Sequence, residues 1–150
     1  MTEGLLVLHV LGVAAWLGAN VTQFAVNGPM IEDRGPVAAR WLRTTAVMSK
    51  TIYMPAAILI LITGILLVVT SDADHAFSDP FVSIGFLMII VGAVVGITVL
   101  SPQAERAADA FDADDGDTAD SALARIRQFG SIDTVLLVVT IWAMATKLGT

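Results

Sequence analysis

Between Leu5 and Val26 the chain reads LLVLHVLGVAAWLGANVTQFAV, 22 residues without a charge. At a rise of about 1.5 Å per residue, a helix of this length crosses the ~30 Å hydrocarbon layer of a bilayer. Its polar and small residues are grouped rather than scattered. His9, Gly12, Trp16, Asn20, Gln23 and the following Asn27 fall within an arc of roughly 80° at the helical period, and Leu, Val, Ala and Phe fill the remainder. A histidine and several amides facing hydrocarbon would lose their hydrogen bonds, so this stripe is expected to face other helices.

The rest of the chain supplies those helices. Of its 150 residues 56% are hydrophobic, and the mean hydropathy of +0.80 is too high for an ordinary water-soluble domain. Four apolar runs account for the excess, with spans expected at about 5–27, 51–70, 81–100 and 132–148. The last reaches full length if Lys147 snorkels. The expected fold is therefore all-α, a single transmembrane domain forming an integral membrane four-helix bundle, multi-pass in the cell membrane. The first segment has only Glu3 before it and a long apolar part, which does not fit a cleavable leader. With no cysteine, disulfides, thiolate metal sites and cysteine nucleophiles are excluded. The net charge of −6 and the acidic loops exclude a basic nucleic-acid surface, and no nucleotide-binding motif is present.

Charge on the connections predicts the orientation. Arg34, Arg40, Arg43 and Lys50 lie between the first two spans, and Arg106, Arg125 and Arg127 between the last two, whereas 71–80 carries only acids. The positive-inside rule then puts loops 28–50 and 101–131 in the cytoplasm and both termini outside. Asn27-Gly28-Pro29 is expected to stop the first helix. Pro36 suits the start of an amphipathic helix over 37–50 that lies at the interface or runs into span two, where Pro55 bends the helix or marks its beginning. Trp41 and Tyr53 suit the headgroup zone. Gly92 and Gly96 form a G-x-x-x-G pair for close packing, within the chain or against a second copy. QAERAADAF continues span three as a helix past Pro102. DADDGDTAD lacks the spacing of a calcium loop and reads as a solvated turn. SALARIRQFG leads into span four, which carries a second stripe: Asp133, Thr140, Met144 and Lys147.

Two groups of residues could carry chemistry. At the outer end, His9 in the membrane and His75 in the outer loop are candidate metal ligands. Met144 is a fallback ligand and Trp16 a surface on which a planar cofactor could stack, so haem b or copper is the cofactor to expect if one is bound. At the inner end Asn20, Gln23, Lys50, Tyr53 and Asp133 gather as structural polar residues, with Lys147 at the opposite end. Lys50 and Asp133 are expected to pair, as a lock closing the bundle or as a proton relay.

Taken together, His9 followed by Trp16-Leu17-Gly18, then Pro55 and Thr63-Gly64-Ile65, then Met144-Ala145-Thr146-Lys147 resemble the small four-span membrane proteins related to the copper-resistance CopD domain. They also resemble an uncharacterised family of predicted integral membrane proteins and, more distantly, the HemJ-type protoporphyrinogen oxidase. The HemJ likeness implies haem at the first-span histidine, His9; the CopD likeness implies copper handling. After Gly18 the chain departs from the HemJ pattern, and it lacks the Met- and His-rich clusters of a copper importer. The readings that follow are a CopD-like protein holding haem or copper at His9, a noncatalytic membrane subunit whose stripes serve packing and assembly, and a membrane oxidoreductase acting on porphyrin or quinone. The expected partners are the lipid bilayer and a second copy or a larger membrane complex.

Overall fold

The computed structural model describes residues 2–70 and 76–149, and among them there is helix and turn but no strand. Helix α1 spans Thr2–Ile31. Helix α2, Pro36–Met48, continues through a π-helical turn at Ser49–Tyr53 into α3, Met54–Thr70. Helix α4, Pro80–Val95, passes through a second π turn at Gly96–Leu100 into α5, Ser101–Asp112, and α6 runs from Gly116 to Thr146. The four continuous rods, Thr2–Ile31, Pro36–Thr70, Pro80–Asp112 and Gly116–Thr146, are each long and apolar enough to cross a membrane. They are antiparallel neighbours joined by short connections, so both chain ends lie at one end of the bundle, where Gly149 meets Pro80.

The structure corrects two boundaries. Asn27-Gly28-Pro29 does not stop α1, which runs on to Ile31 with Pro29 inside it. A proline one turn from a helix end removes only one backbone donor, and Glu32 still bonds back to the Gly28 carbonyl at 3.1 Å. The turn expected over DADDGDTAD is confined to 113–115, because α6 begins at Gly116, while the helices expected over 37–50, QAERAADAF and SALARIRQFG lie within α2 with its π turn, α5 and α6. Each π turn lies just before a proline, Pro55 and Pro102. The pyrrolidine ring clashes with the carbonyl four residues back, and widening the preceding turn relieves that clash without breaking the rod.

Two kinds of core result. In the membrane half, small residues let helices approach: Gly12 sits on Ile60 of α3, and Gly92 of α4 on Trp16 and Asp133. Gly96, the other half of the glycine pair, meets nothing. Large apolar side chains such as Leu6, Val10, Leu11, Val21 and Phe24 point outward, as lipid contact requires. In the charged half, α2, α5 and the start of α6 pack on an alanine-rich core of Ala38, Ala39, Leu42, Ala107, Ala108, Phe111, Ala119 and Ala122. Arg43 pairs there with Asp109 and Asp112 at 2.8 and 2.7 Å, and Arg34 with Asp120 at 2.8 Å. Seven of the eight basic residues thus belong to this capped end.

Candidate functional site

The stripe on α1 meets a partner at nearly every polar position. His9 Nδ1 lies 3.0 Å from the Thr63 hydroxyl, in the notch left by Gly64. The Thr63 hydroxyl in turn reaches the Leu59 carbonyl of its own helix; in the tautomer with the proton on His9 Nδ1, Thr63 accepts from the imidazole and the lone pair is on Nε2. At the capped end Asn27 accepts from the Trp41 indole at 2.7 Å.

Between these lies the densest polar group in the spans. Gln23 Nε2 donates to the Tyr53 hydroxyl at 3.0 Å, Tyr53 donates to Asn20 Oδ1 at 2.7 Å, and Asn20 Nδ2 donates to Asp133 Oδ2 at 2.9 Å. Trp16 Nε1 donates to the same Asp133 oxygen at 3.3 Å. Every donor in the chain points toward Asp133, as hydrogen bonds to a carboxylate should. Asn20 spends its second N–H on the Thr134 hydroxyl, so its amide is fully used. Trp16 is 2% exposed and stands edge-on to the Tyr53 ring, with centroids 5.6 Å apart; Asp133 is 7% exposed. Gly92 allows this approach: a Cβ at that position would stand 3.0 Å from both Asp133 Oδ1 and the Trp16 ring, tighter than ordinary contact.

Lys50 is not part of this group. The expected Lys50–Asp133 pair does not form: Lys50 is exposed and has no acidic partner among the described residues, while Asp133 is bonded by Trp16 and Asn20. The π turn at Ser49–Tyr53 turns Tyr53 inward and Lys50 outward. For the same reason Tyr53 sits in the polar chain. Met144 lies apart, seated against Gly85 of α4 in a cluster with Phe81 and Val82. His75 lies outside the described residues. Lys147 caps α6 in the left-handed region with φ 49°. Among the described residues no three His, Asp or Glu side chains gather as a metal site.

Beside the polar chain is a cavity of about 620 Å³, bounded by all four rods. Asp133, Asn20, Tyr53 and Gln23 form one wall, and Leu61, Ile89, Ala93 and Leu100 are typical of the others. The sequence offered no sign of this void, since it is shaped by small residues on four separate rods.

Fold and site together define a four-span, all-helical membrane protein with a polar chain and a cavity inside its bundle. The family described as "Predicted integral membrane protein (DUF2269)" matches residues 3–148, and the chain belongs to it. No curated protein and no solved structure matches it.

Proposed function

We propose that this protein holds a lipid-soluble small molecule in its intramembrane cavity, as a binding protein or carrier rather than a packing subunit. The observation that supports this is the pairing of a largely apolar cavity with one wall of converging polar groups. Ligand sites combine these two features, whereas a purely structural polar cluster would be packed shut. The test is to extract the protein in mild detergent and identify small molecules that copurify. A wild-type sample should carry a species near stoichiometric amounts that the filled variant Ala93→Trp lacks. Equal extracts from both would overturn the reading.

A second reading is haem b or copper at His9, with oxidoreductase chemistry on a porphyrin or quinone as its extension. Its support is the contact of His9 Nδ1 with Thr63, which leaves Nε2 as the nitrogen to meet iron or copper and supplies the orienting partner such ligands use. The resemblance to CopD- and HemJ-type proteins rests on the same histidine. His9 would be one ligand of at least two; Met144 packs on a different rod, against Gly85. A Soret band or stoichiometric copper that disappears in His9→Ala would support this reading. A colourless, metal-free wild-type protein would end it.

A further inference from the structure

We infer that the occupant of the cavity carries a positively charged, hydrogen-bond-donating head, an amine on an apolar chain or ring, which binds the unused oxygen of Asp133. This rests on the cavity-binding reading above and adds to it the chemistry of the ligand. The argument starts from the two carboxylate oxygens. Both neighbouring donors, Trp16 Nε1 and Asn20 Nδ2, land on Oδ2. Oδ1 lies against the bare backbone of Gly92, receives no hydrogen bond among the described residues, and is reached from the cavity that Asp133 lines.

The surrounding charge leads to the same conclusion. Asp133 sits in the apolar half of α6 and forms no ion pair among the described residues; the arginine ion pairs all belong to the cap. A carboxylate inside the bundle without a counter-charge is costly, and a polar network that supplies donors to one oxygen alone compensates part of that cost. Of the acceptors in the wall, the Asn20 carbonyl and the Tyr53 oxygen already accept and the Gln23 carbonyl is uncharged, so Asp133 Oδ1 is the carboxylate oxygen left open. An anionic head would meet repulsion there, and a neutral apolar one would leave Oδ1 unpaired. An ammonium group satisfies both charge and hydrogen bonding.

The route follows from which lining residues also face outward. Ile58 of α3, Ile90 and Val94 of α4 and Ile97 of the π turn that follows α4 line the cavity, and each is exposed on the bundle surface. The cavity therefore opens sideways between α3 and α4 into lipid, and an amphiphile can enter head first from the bilayer while its tail stays in hydrocarbon.

The experiment uses the protein in phosphatidylcholine nanodiscs, with Trp41→Phe and Trp142→Phe leaving Trp16 as the one indole. Dodecylamine and dodecanol are titrated in parallel, with empty nanodiscs as the blank. Dodecylamine should change Trp16 emission saturably, with an affinity about tenfold to a hundredfold above that of dodecanol, the range of one charge-assisted hydrogen bond. In Asp133→Asn the amine should fall to the level of the alcohol. Equal saturable binding of both probes overturns the amine assignment while leaving the cavity reading intact, and this comparison needs no site variant. A preference for amine that survives in Asp133→Asn overturns Asp133 as the acceptor. Emission unmoved by either probe overturns this assignment and the cavity reading together.

Discussion

Tyr53 is the link on which the polar chain depends, because its hydroxyl both accepts from Gln23 and donates to Asn20. Tyr53→Phe keeps the ring against Trp16 and removes only that oxygen, so the Gln23 N–H and the Asn20 carbonyl are left unpaired in the bundle. The expected loss is about 1 kcal/mol, at the modest end for buried groups because amides in a membrane-embedded unfolded state also find partners. A lower thermal unfolding temperature in a single detergent would show it, and an unchanged one would mean the chain adds nothing to stability. Gly92→Val is the harsher change. Its side chain would be forced against Asp133 Oδ1 and Trp16 at the bundle centre, at an expected cost of about 1 to 3 kcal/mol from overpacking. Gly96→Val in the same helix should be near neutral in the same assay, since nothing stands within reach of its Cβ.

At the scale of the elements, each π turn absorbs one residue more than an α-helical turn would hold. Removing one residue from Ser49–Tyr53 should restore an α-helix without rotating α2 relative to α3, provided the proline that widens the turn is also removed. The combination of deleting exposed Thr51 with Pro55→Ala is therefore expected to fold, as size-exclusion profile and helical circular dichroism would report. Deleting exposed Ile62 from regular α3 should not, because it turns Thr63 and everything beyond it by about 100°. If both deletions behave alike, the turn is not a tolerated insertion. The cap is held differently, by charge over an alanine core. The Arg34 guanidinium hydrogen-bonded to Asp120 holds that carboxyl below its ordinary range, and the Asp115 N-cap bonds to Thr118 do the same for Asp115. Groups depressed in the folded state add stability that is complete above their unfolded value of about 3.9 and is lost as pH falls through the folded value. Amide exchange over 31–36 and 113–123, corrected for intrinsic rates, should accelerate as pH drops below about 4. Constant protection down to pH 3 would contradict this.

For the whole molecule, the four spans and the inward face of the first were legible in the sequence for one reason. Lipid does not satisfy polar groups, so hydropathy marks the spans, and the arc of His9, Trp16, Asn20, Gln23 and Asn27 marks the side that needs partners. The identity of those partners was not legible. Lys50 and Tyr53 sit three residues apart near the same end, and opposite charge favoured Lys50 for Asp133; the π turn, marked in sequence only by Pro55, brought Tyr53 in instead. The cavity was equally hidden. Orientation, by contrast, rests on the sequence and on where the fold gathers its arginines. The capped end holds seven of the eight basic residues and the other end holds Lys147, so the cap is expected in the cytoplasm and the connection before α4 outside. The absence of cysteine gives labelling a clean background. Ser78→Cys and Asp117→Cys place single thiols at exposed positions on opposite ends of the bundle. An impermeant maleimide applied to intact cells should label the first and reach the second only after permeabilisation. The reverse pattern would put the arginine cap outside, against the charge asymmetry that sets the orientation of short-looped membrane proteins.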